Sequence, residues 1–224
     1  HVIIRTCLRD DYIAGLCYNS FLKSRIDANY SFLVDFSHHF NHIKSINIPK
    51  FYHEMTDNYS GQRGAKRLLS SVKQNYKSFN DNDLVILCDS DVIVYDKSFL
   101  DICVNYDHSG VGGIDPIWPQ MGDPDVWPYK LNHISGQLCI IKGNIMNRLI
   151  SLNNIEIDKQ VNQMVRNKMN VADDAFISYM TDIWRCNKNT DLRGYWIHFK
   201  GHEYEKFNYD ESIRLIKERF NILK

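Results

Sequence analysis

The sequence has no net formal charge, because its 27 basic side chains are matched by 27 acidic ones. That balance supplies no bulk attraction to nucleic acid or to an anionic membrane, and neither is expected as a partner. There is also no apolar run long enough to cross a bilayer, and no signal peptide is visible. Six cysteines are present, at positions 7, 17, 88, 103, 139 and 186, but no Cys-x-x-Cys pair. Cys7, Cys88 and Cys139 lie inside apolar runs, where a thiol behaves as a small buried hydrophobe. This argues against a zinc cluster and a disulfide framework, and the expected setting is reducing and cytoplasmic. Internal repeats and low-complexity tracts are missing too, as are the glycine spacings of a phosphate-binding loop or a dinucleotide fingerprint. The sequence opens on His rather than Met, which leaves room for an anchor or further domain upstream.

What is present is the composition of a soluble globular protein, 44% apolar and 24% charged over 224 residues, enough for one large domain with a substantial core. Val2 to Leu8 reads as a first strand, and Asp10-Asp11 opens a helix to about Lys23 on the spacing of Ile13, Leu16, Cys17, Phe21 and Leu22. Ser31 to Phe36 reads as a second strand and Ile48 to His53 as a weaker third. Between them, His38 and His42 share a helical face, as a surface pair or as metal ligands. A glycine-rich, basic stretch, Gly61-Gln-Arg-Gly-Ala-Lys-Arg, begins a helix expected to run to about Phe79. Its start suits an anion or is a solvated basic face.

The run Asp83-Leu-Val-Ile-Leu-Cys-Asp-Ser-Asp-Val-Ile-Val94 dominates the chain. Leu84 to Cys88 is a short, unbroken apolar stretch, as expected of a strand buried on both faces of a mainly parallel sheet. Asp89 and Asp91 follow where that strand should surface at its carboxyl end, the edge at which open α/β sheets bind ligands. Two carboxylates one residue apart can face one hard cation with room for phosphate oxygens. The same spacing also fills turns and caps helices. A short helix from Asp96 or Ser98 follows, so that the first half alternates strand and helix as nucleotide-binding α/β proteins do.

The second half is less regular. Gly110 to Pro116 reads as a strand, and Ile117 to Tyr129 as a loop dense in Trp and Pro, with Trp118 and Trp127 as sugar platforms or loop packing. Ser135 to Gly143 returns to the sheet and Asn144 begins a helix. A polar stretch from Asn153 to Asn170 then leads to an amphipathic helix over Val171 to Met180, opened by Asp173-Asp174 as cap or as catalytic pair. Tyr195 to Glu205 contains His198-Phe-Lys-Gly201 and His202, and a basic amphipathic helix closes the sequence.

The ordered set of strand–Asp-x-Asp, helix-opening Asp-Asp and late His-x-Lys-Gly resembles the GT-A-fold glycosyltransferases, nucleotide-sugar enzymes that hold Mn²⁺ or Mg²⁺ through an Asp-x-Asp motif. The resemblance extends from Val2 to about Glu205. It implies an α/β fold with a single Rossmann-like domain over residues 1–224 and a central, mainly parallel mixed sheet flanked by helices. Residues 1–107 would form the nucleotide-binding half, 108–205 the acceptor half and 206–224 a C-terminal helix.

By this resemblance Asp91 is a metal ligand, Asp89 meets the metal, its bound water or the ribose, and His198 completes the metal site with His202 as competitor. Lys200 would meet the diphosphate, with Ser90 and Gly201 beside the donor. Thr6, Arg9 and Asp35 would contact the nucleotide, and Asn58, Arg63 and Lys66 its uridine and phosphates. Asp174 would be the catalytic base of an inverting reaction, with Asp173 on the acceptor or capping the helix. His133 would border the acceptor and Gly136-Gln137 the donor sugar. The implied substrates are a nucleotide sugar, UDP-linked, and a carbohydrate, lipid-linked or protein-linked hydroxyl acceptor. Two other readings remain: an aspartyl-phosphate phosphohydrolase with Asp89 as nucleophile, and a nucleotide-sugar-binding module without activity.

Overall fold

A computed structural model describes residues 1–6, 11–34, 64–113, 133–167, 169, 171–198 and 214. Its centre is a six-stranded sheet built on β1 (Val2–Thr6), β2 (Tyr30–Val34), β3 (Leu84–Asp89), β5 (His108–Gly113), β6 (His133–Lys142) and β7 (Lys188–Asn189). The spatial order is β2-β1-β3-β6-β5-β7. β1 runs parallel to β2 and β3, β6 is antiparallel to both β3 and β5, and β5 is parallel to β7. One reversed strand in an otherwise parallel sheet makes it the mainly parallel mixed sheet expected.

Burial explains why β1 to β3 read as unbroken apolar runs: both faces are covered. On one face Val2, Ile4, Phe32, Val34, Ile86 and Cys88 pack with Ala14, Cys17 and Phe21 of helix α1 (Asp11–Lys23) and with Phe99 and Cys103 of the short α3 (Phe99–Cys103). On the other face Ile3, Leu33, Val85 and Leu87 pack under α2 (Gly64–Asn75), α4 (Gly143–Ser151), α5 (Asn154–Arg166) and α6 (Asp173–Ile183). The alternation along a strand decides which polar side chain meets which helix. Arg5 follows Ile3, and Asp89 follows Val85 and Leu87, onto the face that carries α6.

A separate two-stranded ribbon pairs β4 (Val92–Val94) with β8 (Trp196–His198) in antiparallel register, Val92 opposite His198. Sequence reading places a helix from Asp96 or Ser98, where α3 does begin after Ser98, but does not foresee this ribbon. Nor does it foresee α5, taken as a polar stretch. Ile157, Val161 and Met164 supply a buried stripe at helical spacing there, and Asn153 and Glu156 form a reciprocal capping box. α2 ends at Asn75 rather than near Phe79. Tyr76 and Phe79 stack on each other, and Phe79 exchanges two backbone hydrogen bonds with the Asn147 side chain. Cys17, Cys88, Cys103 and Cys139 are free and buried, as small hydrophobes should be. No helix among the described residues is long and apolar enough to cross a membrane.

One core residue makes stability depend on pH. His108 is buried, its Nδ1 3.1 Å from Thr181 Oγ1. Burial, with Lys188 and His133 acting in the same sense and Asp174 opposing, pushes its pKa well below that of a free imidazole. Between about pH 6.5 and that lower value the unfolded chain therefore binds the extra proton, so stability is full above about 6.5 and falls as pH drops. Melting temperatures measured from pH 7.5 to 5 should fall less steeply for His108→Gln than for the unaltered protein; equal slopes would count against the buried neutral imidazole.

Candidate active site

The carboxyl end of β3 delivers Asp89, and the turn after it delivers Ser90 and Asp91 before β4 begins. Register in the ribbon brings β8 back across β4, which places His198 Nε2 3.2 Å from Asp91 Oδ1. One potential ligand atom from each of Asp89, Asp91 and His198 lies within 4.8 Å of the other two. Two carboxylates and an imidazole suit a hard or borderline divalent ion, and the nitrogen favours Mn²⁺ over Mg²⁺. The electrostatics fit as well. Although 38% of the Asp89 side chain is open, burial of the carboxyl raises its pKa to about 7. Arg5 pulls against this shift, Asp91 and Asp173 add to it, and His198 opposes it. The cluster has a surplus of negative charge that a cation would neutralise.

A second group of residues is tied to the first through Arg5. This side chain, buried in β1, pairs with Asp89 because Arg5 and Asp89 are register partners on one sheet face. Its Nη2 donates to Asp89 Oδ1 at 2.6 Å and to the Gly136 carbonyl at 2.6 Å, while Nη1 donates to Asp173 Oδ2. One guanidinium thus joins β1, β3, β6 and the start of α6. Burial pushes the Asp173 pKa up, Arg5 opposes this, and Asp174 adds to it. Sequence reading did not single out Arg5. The signal was present in a lone arginine amid Val-Ile-Ile and Thr-Cys-Leu, since a charge in a fully buried strand must be paired.

Asp174 faces a different set. Its Oδ2 accepts from the Gly136 backbone N–H at 3.0 Å and lies 3.2 Å from His133 Nε2, and its Oδ1 accepts from the Ala175 N–H at 2.7 Å. Burial works to raise its pKa, but the hydrogen bond and charge of His133 and the two backbone donors outweigh it and hold the carboxyl below its usual range. Asp174 is therefore ionised at neutral pH, and of its four lone-pair positions these contacts leave one, on Oδ1. A Cβ at Gly136 would be tight, 3.1 Å from both Arg5 Nη2 and Asp174 Cβ, so a side chain there would press on both groups.

Asp89, Asp91 and His198 therefore lie together in one cluster, with Ser90 buried between the two carboxylates in sequence. Asp173, Asp174, His133 and Gly136 form an adjoining group, and Gln137 follows Gly136 in β6. Thr6 is buried at the end of β1. Lys66 pairs at 2.5 Å with Asp158 of α5, and that contact belongs to the packing of α2 on α5. Arg9, Asp35, Asn58, Arg63, Lys200, Gly201 and His202, with Trp118 and Trp127, lie outside the described residues, as do His38 and His42.

No known protein-family profile matches the sequence, and no curated protein matches it. Solved structures do match in fold. The galactosyltransferase LgtC, solved with donor and acceptor sugar analogues, has a TM-score of 0.54 at 11% identity, over 97% of this chain and 95% of that one. The bifunctional glycosyltransferase WbbM gives 0.52 at 13% identity, over 89% of this chain and 45% of the other. Mouse xyloside xylosyltransferase 1 gives 0.51 at 10% identity, over 84% and 83%. At such identities the likeness is one of architecture: the chain has the fold of GT-A-type glycosyltransferases.

Proposed function

We propose that the protein is a metal-dependent glycosyltransferase that moves a sugar from a nucleotide donor, UDP-linked, to a hydroxyl of a carbohydrate, lipid-linked or protein-linked acceptor. The observation that supports this most is the Asp89–Asp91–His198 cluster at the carboxyl edge of the sheet in a GT-A-type fold. Asp91 and His198 would hold Mn²⁺ or Mg²⁺, with Asp89 as a third ligand or as partner to its water or to the ribose. The ion, when bound, neutralises the nucleoside diphosphate as it leaves. Lys200 and Gly201 would follow His198 onto the diphosphate, and Arg9, Asp35, Asn58 and Arg63 would serve the nucleotide.

Asp174 is the candidate base, ionised and with one lone pair open. Its lowered pKa makes it a weak proton acceptor, so its pull on an acceptor hydroxyl would act late in the transfer. An Asp174→Asn variant keeps the shape and removes the charge. Transfer should fall by about 10²- to 10⁴-fold with donor binding retained, and an unchanged turnover would remove Asp174 from the chemistry. The phosphohydrolase reading fits less well. Its nucleophile normally lies on the first strand of the domain, whereas among the described residues two strands, β1 and β2, precede β3, and Arg5 already occupies Asp89 Oδ1.

Thermal melting with a panel of nucleoside diphosphates tests the proposal directly. Stabilisation is expected from at least one of them, only when Mn²⁺ or Mg²⁺ is present. If none stabilises the protein with metal, the proposal fails.

A further inference from the structure

Arg5 touches one of the three cation-site residues, and that contact has a consequence for how the site loads. A guanidinium keeps its charge at any pH the protein meets. Here it is buried and held in place by two carboxylates and a carbonyl from three different elements, so it cannot swing away as an exposed side chain could. A divalent ion that shares Asp89 must therefore sit close to a fixed positive charge already bonded to the same carboxylate at 2.6 Å. Like charges at this range repel strongly in a partly buried site. A diphosphate arriving with the ion reverses the balance, because its own negative charge is attracted to both cations.

We propose that Arg5 is a built-in countercharge that competes with the divalent ion for Asp89, keeps binding of the bare ion weak, and so couples ion binding to arrival of the nucleoside diphosphate. The inference rests on the donor-site reading above and assigns Arg5 a positioning role. Asp173 is part of the device, since it holds the other arm of the guanidinium and fixes the charge beside Asp89.

The test is calorimetric titration of the whole chain with Mn²⁺ alone and again with uridine diphosphate present, for the unaltered protein, Arg5→Gln, Arg5→Lys and Asp91→Ala. Arg5→Gln should bind bare Mn²⁺ about tenfold more tightly than the unaltered protein, and uridine diphosphate should raise its Mn²⁺ affinity much less. Arg5→Lys, which keeps the charge, should stay near the unaltered protein. A purely structural arginine predicts the opposite pattern, with both variants weaker because Asp89 and Asp173 lose the group that holds them. Bare-ion affinity in Arg5→Gln equal to or below that of the unaltered protein overturns the inference. Should Arg5→Gln fail to fold, the unaltered protein decides: uridine diphosphate should raise its Mn²⁺ affinity by about tenfold or more, and an unchanged affinity overturns the proposal. If Asp91→Ala binds Mn²⁺ and uridine diphosphate as well as the unaltered protein, the donor-site reading itself falls. If Asp91→Ala loses binding while the Arg5 variants behave alike, only the countercharge is wrong.

Discussion

Replacing Asp91 with Ala should abolish the effect of metal on nucleotide binding while leaving the metal-free fold intact. Among the described residues Asp91, in the turn between β3 and β4, contacts His198 of β8. Its removal takes away one proposed ligand and a negative charge but no core packing. With saturating Mn²⁺ and nucleoside diphosphate at about 100 times the dissociation constant, a bound protein gains about 2.7 kcal/mol. For a domain of this length that is about 5–10 °C in melting temperature. In Asp91→Ala this increment should vanish, and sugar transfer should fall by about 10³-fold, the scale on which lost stabilisation of a charged leaving group is felt. Asp91→Asn is expected to behave similarly, because an amide supplies the oxygen without the charge. A variant that melts like the unaltered protein in both conditions would remove Asp91 from the site.

That contact also illustrates what the sequence could and could not disclose. The buried strand and the carboxylates at its end follow from a local pattern, an apolar run that stops at Asp-x-Asp, and β3 forms where that pattern places it. Helix α1 and the acidic start of α6 are local in the same sense. His198 beside Asp91 is not. It depends on Val92 to Val94 pairing with a strand about a hundred residues later, and nothing local reports that register. The resemblance to a known family, rather than spacing, joined His198 to Asp91 in advance. Arg5 was missed because its strand was read only for its apolar neighbours. α5 was missed because Asn, Gln, Lys and Glu on its outer face mask the stripe of Ile157, Val161 and Met164.

Gly112→Ala should destabilise the protein more than an exposed glycine substitution, and damage the site as well as the fold. A Cβ at position 112 would sit 1.9 Å from the His133 carbonyl oxygen and 2.9 Å from its carbon, both backbone atoms that cannot rotate away. The position falls at the irregularity between Gly110 and Gly112, where β5 and β6 change register. A glycine in a strand often marks such a close backbone approach. The only relief is to push the first residues of β6 away from β5. Those residues are anchored elsewhere: the Ile134 N–H donates to Ser178 Oγ of α6 at 3.0 Å, and His133 meets Asp174. Overpacking of this kind costs about 3 kcal/mol, or about 10 °C in melting temperature. Well below that temperature transfer should still be reduced, because His133 can no longer hold the Asp174 carboxylate in place. Gly194→Ala gives the contrast. Among the described residues other than its chain neighbours no atom lies within 4 Å of its added Cβ, but φ is +88°, so the expected cost is backbone strain, about 1 kcal/mol. Melting curves that place the two variants together would mean that β5 and β6 can separate freely there, and that His133 and Asp174 are not held by the sheet.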